Sequence, residues 1–239
     1  MSFKNKVVIV TGASSGIGAA TALKFSKEGA AVVMVARNEE KLKAVKKKCD
    51  AEDAAKAVED TINKYGKIDI LINNAGIVRF GSILDGNLMK AYDEIVNTNL
   101  RAIMNVTSIA APYIIKTKGN IVNVSSIAGQ AVPKVPLVIS YSVSKAGLDQ
   151  FTRGAAVELS PYGVRVNAIS PGPVRTDIME NAGVPLEALE SMNLDKMKTA
   201  LNRLSSPEEV ANMILYLTSD KCIGVTGSNF VLDNGMLLV

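Results

Sequence analysis

Two side chains on one predicted helix form the first group that could do chemistry. Tyr141 and Lys145 are four residues apart, and this spacing places them on the same face of a helix. A free tyrosine has a pKa near ~10, and a neighbouring ammonium group favours the phenolate. The pair therefore suits proton transfer near neutral pH. By itself, the pattern is also typical of an ordinary pair on a helix surface.

Hydroxyl and amide side chains follow several apolar runs. Residues 123–126, Asn-Val-Ser-Ser, end one of these runs and place a hydroxyl at the carboxyl edge of a parallel sheet, where ligands of α/β folds bind. Such a hydroxyl could polarise a substrate oxygen. Residues 73–76 and 171–176 follow two further runs and are expected at the same edge.

A glycine-rich turn follows the first apolar run. Residues 11–18 read TGASSGIG and open a predicted helix. Glycines permit a tight turn and let the backbone approach a pyrophosphate, whose charge is stabilised by the N–H groups and positive end of the helix. The order is GxxxGxG and differs from the commoner GxGxxG fingerprint. The turn indicates a nucleotide site, although strand-to-helix turns also use glycine for structural reasons alone.

Strand-like and helix-like stretches alternate along the chain, which predicts an α/β fold. Apolar, β-branched runs predict parallel strands buried on both faces. They cover residues 6–11, 31–36, 68–73, 120–125, 164–170 and 228–233. Helices are predicted over residues 16–28, 39–48, 53–65, 89–116, 140–162 and 207–218. We expect a single-domain Rossmann fold over residues 1–239, with a doubly wound parallel β-sheet flanked by helices.

One connection departs from this alternation. Residues 49–52 join the helix that ends near Lys48 to the next helix, with no predicted strand between them. These helices should lie on opposite faces of the sheet, but each extended residue spans at most ~3.6 Å, and each helix is ~10 Å across. Either an edge strand has been lost or residues are absent from the sequence. We favour the second interpretation, which a long Cα to Cα step between residues 46 and 54 would support.

Composition removes several classes of site. The chain has no histidine, which excludes Ser-His-Asp triads, HExxH zinc sites and an imidazole general base. Cys49 and Cys222 lack a CxxC spacing, so we expect no metal site, no disulfide framework and a reducing compartment. A net charge of +4 without aromatic and basic interleaving argues against nucleic-acid binding. The first apolar run is too short for a signal peptide or a membrane span, so we expect a cytoplasmic protein.

Taken together, the motifs resemble the short-chain dehydrogenase/reductase family. TGxxxGIG, NNAG, a helix asparagine, a strand-end serine, YxxxK and a PG turn occur in the family's order over nearly the whole chain. The resemblance implies that Tyr141 is the general acid/base facing the substrate oxygen. It implies that Lys145 lowers the pKa of Tyr141 and binds the nicotinamide ribose. By the same resemblance Ser126 orients the substrate oxygen, and Asn99 holds a water that links Lys145 to solvent, with Asn97 as a weaker alternative.

The resemblance also implies a nicotinamide cofactor at the glycine-rich turn. The cofactor-binding residues that it implies are Gly12, Ser14, Ser15, Gly16, Ile17, Gly18, Arg37, Asn74, Ala75, Gly76, Tyr141, Lys145, Pro171, Gly172, Val174 and Thr176. In this set the three glycines of the turn cradle the pyrophosphate and Ile17 packs under it. Asn74 and Ala75 flank the adenosine ribose, and Thr176 holds the nicotinamide carboxamide.

The end of the second predicted strand bears on the choice of cofactor. A family member that prefers NAD carries an acidic residue there for the free ribose hydroxyls, whereas this chain has Ala36 followed by Arg37. The Arg37 guanidinium is a fork of donors suited to a 2′-phosphate, and Ser14 could add a hydroxyl contact. We therefore predict NADP(H) in preference to NAD(H). The family's Asp at the end of the third strand, which lines the adenine pocket, has no counterpart in this interpretation.

Residues 177–206 correspond to the variable substrate loop or lid of the family. Apolar residues recur there at partly helical spacing: Met179, Leu186, Leu189, Met192, Leu194, Met197 and Leu201. Met-rich apolar surfaces suit extended hydrophobic ligands, although the stripe could equally pack the lid onto the domain. We predict NADP(H)-dependent reduction of a ketone or 3-oxo group of a moderately apolar small molecule. The chain looks like the 3-oxoacyl-[acyl-carrier-protein] reductase-like members, which include reductases of steroids and other lipophilic carbonyls.

Two other functions stay open at this point. One is an NAD-dependent alcohol dehydrogenase of the same family, and the other is a catalytically idle nucleotide-binding scaffold. Family members usually form tetramers through the helices predicted at residues 89–116 and 140–162 and through the last strand. The apolar tail at residues 236–239 also suits an interface. We therefore expect a homotetramer, with a dimer as the alternative.

Overall fold

The sheet contains seven parallel strands. The structure is a computed structural model that describes residues 1–36, 50–51, 54–84, 86–131, 137–184 and 198–239. Within these residues the strands are β1 Val7–Thr11, β2 Ala31–Val35, β3 Asp50–Ala51, β4 Ile70–Asn73, β5 Asn120–Val124, β6 Arg165–Pro171 and β7 Asn229–Leu232. Their order is β3-β2-β1-β4-β5-β6-β7. The strand order reverses between β1 and β4, and ligands of such sheets bind at this switch point.

Helices cover both faces of the sheet. In the described residues the α-helices are α1 Gly16–Lys27, α2 Ala54–Tyr65, α3 Leu88–Val96, α4 Ala102–Thr117, α5 Ile139–Leu159 and α6 Pro207–Thr218. A π-helical turn, Asn97–Arg101, joins α3 to α4, so the helix predicted over residues 89–116 is interrupted by one wider turn. None of the helices described is long and apolar enough to cross a membrane.

The apolar core forms two layers because alternate side chains of each strand point to opposite faces. Val10 of β1 belongs to the cluster that contains Phe25 of α1 and Ile214 of α6. Its neighbour Ile9 belongs to the other cluster, with Ile114 of α4. The predicted doubly wound parallel sheet flanked by helices is therefore confirmed.

A ladder of buried amides and hydroxyls crosses the middle of the sheet. Asn73 of β4 lies opposite Asn123 of β5, and the Asn73 amide nitrogen donates to the Asn123 Oδ1 at 2.9 Å and to the Thr107 Oγ1 at 3.0 Å. The Asn123 amide nitrogen donates to the Thr152 Oγ1 at 2.9 Å. The ladder thus ties two central strands to α4 and α5, just below the carboxyl edge.

The prediction that no strand separates the helices around residues 48–53 is wrong. Asp50 and Ala51 pair in parallel with Val33 and Met34 of β2 and form the edge strand β3. A two-residue edge strand needs ladder bonds on one side only and shows no apolar run, which is the signal that strand prediction uses. An Asp followed by a small apolar residue therefore does stand near the carboxyl end of the third strand. The helix predicted over residues 39–48 and most of the connection at residues 46–54 lie outside the described residues.

Candidate active site

The site is built where β5 ends against the first turns of α5. Ser126 has extended backbone, with φ −167° and ψ 154°, and its Oγ accepts from the Ala128 N–H at 3.2 Å. The Ser126 side chain also hydrogen-bonds the Tyr141 hydroxyl. Gly129, in the same turn, packs so closely on α5 that a Cβ there would lie 2.8 Å from the carbonyl carbon of Lys145. This contact holds Ser126 beside Tyr141.

Lys145 is buried, with 3% of its surface exposed. Its Nζ donates to the carbonyl oxygen of Val124 at 2.8 Å and lies 5.6 Å from the centroid of the Tyr141 ring. Burial lowers the pKa of Lys145 from 10.5 to about 8, and the negative charge of Asp149 opposes that change. The ammonium group is therefore mostly charged at neutral pH, in a setting where the proton is held less firmly than in water.

Burial raises the pKa of Tyr141 above its ordinary value of 10.0, and hydrogen bonding with Ser126 opposes the rise in part. This direction is opposite to the one expected from the YxxxK spacing, in which Lys145 lowers the pKa of Tyr141. Desolvation of the phenol is the dominant effect, while the Lys145 ammonium is engaged with the Val124 carbonyl. Tyr141 is therefore a neutral phenol at neutral pH.

The π-helical turn brings a buried amide to the other side of Lys145. Asn99 has no exposed surface, and its Oδ1 accepts from the Ile77 N–H at 2.8 Å while its Nδ2 donates to the Ile77 carbonyl at 2.9 Å. A Cβ on Gly76 would lie 3.6 Å from the Asn99 Oδ1 and 3.7 Å from the Lys145 Nζ. Asn99 thus lies in the site, whereas Asn97 is exposed.

The glycine-rich turn packs tightly on the segment after β4. Gly12 adopts φ +68°, and a Cβ there would lie 2.8 Å from the Cα of Ala75. A Cβ on Gly18 would overlap the carbonyl oxygen of Gly12. Gly12 requires glycine because of both its left-handed backbone and its packing, whereas Gly18 requires glycine because of its packing alone. The turn therefore holds the start of α1 at the switch point of the sheet.

A threonine hydroxyl joins the turn to the NNAG segment. The Oγ1 of Thr11 accepts from the N–H groups of Asn74 and Ala75 at 3.0 and 3.1 Å. The Asn74 amide nitrogen donates to the carbonyl oxygens of Thr11 and Gly12 at 2.9 and 3.1 Å. Residues from β1 and β4 thus form one hydrogen-bonded unit at the carboxyl edge.

The turn after β6 meets the glycine-rich turn from the other side. Pro171 ends β6, and the Gly172 N–H donates to the Leu232 carbonyl at 2.9 Å. Val174 forms an isolated parallel bridge with Ser205. A Cβ on Gly16 would lie 2.9 Å from the Cγ2 of Thr176. This close approach brings Thr176 to the start of α1.

The remaining predicted cofactor residues divide into two groups. Ser14 lies in the glycine-rich turn, Ser15 directly precedes α1 with φ −156° and ψ 176°, and Ile17 packs against the core. Arg37 lies outside the described residues, as do residues 185–197 of the predicted lid. The structure therefore brings together every predicted site residue that it describes along one edge of the sheet.

Two polar residues near the site were missed from the sequence. Thr11 was part of the TGxxxGIG motif, but its hydroxyl had no assigned contact; its signal is a polar residue that ends an otherwise apolar strand. Asp149 had no assignment at all. Its signal is an acidic residue one helical turn beyond Lys145, at a position that faces the sheet.

Comparisons with known proteins show the family to which the chain is similar. A protein-family model described as Enoyl-(Acyl carrier protein) reductase matches residues 12–237. The chain is 37% identical to the 3-oxoacyl-[acyl-carrier-protein] reductase FabG of Thermotoga maritima, with 100% of both chains covered. It is 33% identical to the meso-2,3-butanediol dehydrogenase of Serratia marcescens, covering 98% of this chain and 96% of that one. The alignment with the Thermotoga protein runs over 254 positions, although this chain has 239 residues, so the relative has residues that this chain lacks.

Solved structures give the same result. A short-chain dehydrogenase/reductase of unknown function from Caenorhabditis elegans, solved with cofactor, matches with a TM-score of 0.90 and 33% identity over 99% of this chain and 97% of that chain. A short-chain dehydrogenase from Burkholderia cenocepacia in complex with NADP matches with a TM-score of 0.88 and 28% identity over 99% and 100%. With the family model, the full-length relatives and the fold in agreement, the chain belongs to the short-chain dehydrogenase/reductase family of oxidoreductases.

Proposed function

We propose that the protein is an NADP(H)-dependent oxidoreductase that reduces the ketone or 3-oxo group of a moderately apolar small molecule to a secondary alcohol. The observation that carries this proposal is the meeting of Ser126 and Tyr141 beside a buried, charged Lys145. Two neighbouring hydroxyl groups suit a carbonyl oxygen, because both can donate a hydrogen bond to it. This arrangement favours C=O reduction over reduction of an enoyl double bond.

Tyr141 is the proton donor in the proposed reaction. Its raised pKa keeps the phenol protonated at neutral pH, which is the state that reduction requires. Ser126 holds the substrate oxygen next to the phenol. When bound, the nicotinamide supplies the hydride that reaches the carbonyl carbon. The proton from Tyr141 then completes the alcohol.

Lys145 stabilises the phenolate that forms as Tyr141 gives up its proton, since a nearby positive charge favours the anion. The proposed contact of Lys145 with the nicotinamide ribose adds a positioning role. Asn99 acts through the backbone next to Lys145. Its amide group hydrogen-bonds the Ile77 N–H and carbonyl at 2.8 and 2.9 Å, and Gly76 lies between this amide and the Lys145 Nζ. A water held at this turn would connect Lys145 to solvent for reprotonation.

The glycine-rich turn fits the pyrophosphate of a dinucleotide. Its glycines leave the backbone bare at the start of α1, and among the described residues the first turn of α1 has neither a side-chain cap from Ser15 nor an acidic residue. N–H groups in that position bind anions. Thr176 and the NNAG segment flank the turn on its two sides.

The preference for NADP(H) rests on Arg37, which follows Ala36 at the end of β2 in the sequence. A guanidinium binds a 2′-phosphate through two parallel donors. A fluorescence titration with NADPH and with NADH tests the proposal, and Arg37→Ala should weaken NADPH binding by about tenfold or more, in line with the loss of a charge-assisted hydrogen bond. The affinity for NADH should stay within twofold. Equal losses for both cofactors would contradict the assignment.

The substrate class follows from the lid, which we assign to residues 177–206. Its described part includes Met179 and the exposed Leu201, and the relatives in the comparison are named for a 3-oxoacyl and a small diol substrate. A panel of short and long 3-oxo esters, cyclic ketones and acetoin with NADPH would rank these classes. We expect the catalytic efficiency to rise with the apolar length of the ketone.

The assembly is proposed to be a homotetramer in the cytoplasm. Apolar side chains are exposed on the helices and tail that would form the contacts: Met104, Ile109, Val143, Val157, Leu237 and Leu238. Burying such residues between subunits stabilises an oligomer. Light scattering coupled to size exclusion tests the subunit number.

The NAD-dependent alcohol dehydrogenase and the idle scaffold are separated by the same assays. Faster oxidation of alcohols with NAD than reduction of ketones with NADPH would favour the dehydrogenase. NADPH binding without turnover of any ketone in the panel would favour the scaffold.

A further inference from the structure

A buried carboxyl group that the proposed mechanism does not use lies one helical turn beyond Lys145. Asp149 is 5% exposed, and the i, i+4 spacing places it on the same face of α5 as the lysine. Its Oδ1 atom is buried and has no hydrogen-bond partner among the described residues. A buried carboxylate with an unpartnered oxygen is unfavourable unless another interaction compensates for it, so its presence beside the site calls for a physical reason.

The segment at the end of β5 contacts both side chains. The Val124 carbonyl accepts from the Lys145 Nζ at 2.8 Å. The hydroxyl of the next residue, Ser125, lies 3.3 Å from the Lys145 carbonyl oxygen and within reach of the Asp149 carboxyl group, and its single proton can be donated to either acceptor. Two consecutive residues of one strand end therefore hold the lysine and the carboxyl group in a fixed relation.

The electrostatic surroundings of Asp149 contain few charges in the described structure. On α5 the charged neighbours are Lys145 and the exposed Arg153, whereas the groups that face Asp149 from the sheet, Ser125 after β5 and Asn229 of β7, are neutral. Lys145 in turn faces the neutral Tyr141 phenol and, across Gly76, the Asn99 amide. Asp149 is thus the negative charge that acts on Lys145 from the described residues.

We propose that Asp149 is a positioning residue that keeps Lys145 protonated while the enzyme works. This proposal rests on the role given to Lys145 under the proposed function. A buried ammonium group tends to lose its proton, and a neutral lysine can no longer stabilise the phenolate. The Asp149 carboxylate offsets this tendency from one helical turn further along α5.

The direction of the shifts agrees with such a pair. Burial lowers the pKa of Lys145 and the charge of Asp149 raises it. Burial raises the pKa of Asp149, while Ser125, Arg153, Lys145 and Asn229 all lower it. Burial is the largest effect, so the pKa of Asp149 lies above its ordinary value although its neighbours favour the carboxylate. The support for Lys145 is lost as the pH falls far enough to protonate Asp149 or rises far enough to deprotonate Lys145.

The direct test is the pKa of Lys145 in the folded protein, measured without turnover. Protein labelled with 13C at the lysine Cε is titrated by NMR, and the Lys145 signal is identified by its absence in Lys145→Met. In Asp149→Asn we expect the pKa of Lys145 to fall by about one unit, the scale of shift that a nearby charge produces. Asp149→Glu should restore most of it. Glu158→Gln removes a carboxylate from an exposed position of the same helix and should leave the Lys145 pKa unchanged.

A second readout follows the reaction. The rate of ketone reduction with NADPH should fall at alkaline pH in both proteins, and in Asp149→Asn this fall should occur about one pH unit lower than in the unchanged enzyme. Near pH 6.5, where Lys145 is still charged, the KM for NADPH should change little. A merely structural role would lower the rate at every pH without moving the limb. If Asp149→Asn does not fold, Asp149→Ser is measured in its place.

The outcomes separate the two proposals. A Lys145 pKa that is the same in folded Asp149→Asn and in the unchanged protein overturns the role of Asp149, whatever the activity. If the NMR shift occurs but Lys145→Met retains full ketone reduction, the role of Asp149 toward the lysine holds and the proposed function of Lys145 fails.

Discussion

The two halves of the carboxyl edge are built in different ways. In the half proposed to bind the cofactor, called the cofactor half, at the end of β1 and the start of α1, the geometry depends on the absence of side chains: Gly12 and Gly18 leave no room for a Cβ. In the half proposed to carry out catalysis, called the catalytic half, at the end of β5 and the start of α5, the geometry depends on side chains that are present and buried. There Lys145 and Asn99 are held by hydrogen bonds to the backbone at Val124 and Ile77.

This difference predicts how each half responds to substitution. A larger residue in the cofactor half displaces backbone and so affects stability and binding together. A substitution in the catalytic half changes one functional group and its pKa while the backbone stays in place. Catalysis and folding are therefore more separable in the catalytic half than in the cofactor half.

The largest expected effect is on catalysis. Tyr141→Phe removes the proton donor, so we expect the rate of ketone reduction to fall by about 10³-fold, within the range for general acid catalysis, with NADPH affinity changed less than twofold. Stopped-flow or steady-state kinetics and a fluorescence titration measure the two quantities. Tyr216→Phe, at an exposed position of α6, is the control and should leave both unchanged. A variant that keeps its turnover would remove Tyr141 from the mechanism.

The cofactor half should respond through the backbone. Gly18→Ala places a Cβ against the Gly12 carbonyl, and we expect the free energy of unfolding to fall by about 3 kcal/mol, the upper part of the range for overpacking. NADPH affinity should fall in the same variant. Denaturant unfolding and a cofactor titration check both. Gly224→Ala, where a Cβ meets nothing within 4 Å, should change neither. A Gly18→Ala protein of unchanged stability would contradict the difference between the halves.

Replacing Lys145 should change the free energy of unfolding of the protein by an amount that depends on pH. Its folded pKa is lowered from 10.5 to about 8, so the unfolded chain binds more protons between these values and the stability of the unchanged protein rises with pH in that window. Below pH 8 the buried charge lowers the free energy of unfolding by about 3 kcal/mol. The hydrogen bond from Lys145 to Val124 contributes about 1 kcal/mol in the opposite direction. We therefore expect Lys145→Met to be about 2 kcal/mol more stable at pH 7.

The advantage of Lys145→Met should disappear as the pH rises from 8 to 10.5. Urea unfolding at pH 7 and at the alkaline end of this window measures it. Lys116→Met, at an exposed position of α4, provides the control with no such dependence. A stability difference that is constant over this range would mean that Lys145 does not carry a buried charge.

The smallest expected effect is on stability, through the hydrogen bonds that connect the end of β1 to the segment after β4. Thr11→Val removes the acceptor for the N–H groups of Asn74 and Ala75 and should lower the free energy of unfolding by about 1 kcal/mol. The matched control is Thr21→Val in α1, because the Thr21 hydroxyl is buried and unpartnered in the described structure. That variant should be neutral or slightly more stable. Equal effects of the two substitutions would show that the Thr11 hydrogen bonds contribute nothing.

Much of this architecture could be predicted from the sequence. Apolar runs such as residues 120–125 predict buried strands because no other element buries both faces of so short a segment. The edge strand β3 escaped prediction, since Asp50 and Ala51 carry no apolar pattern. The π-helical turn escaped as well, because one extra residue per turn hardly changes the spacing of apolar side chains.

The candidate site divides along the same line. Residues that lie together at the candidate site, such as Ser126 and Tyr141, could be predicted from the order of the motifs. The direction of the Tyr141 pKa could not, since it depends on how completely the fold removes water from the phenol. Asp149 was missed because only the packing of α5 on β5 and β7 shows that this position is buried.

The buried amide ladder of the central sheet has a consequence for folding. Asn73 and Asn123 meet only when β4 and β5 pair in the register observed. A slip by one residue would turn each amide to the opposite, apolar face and leave its polar atoms without partners. Misregistered pairings are therefore penalised. The ladder selects one alignment of the two strands, and this alignment places both Asn74 and Ser126.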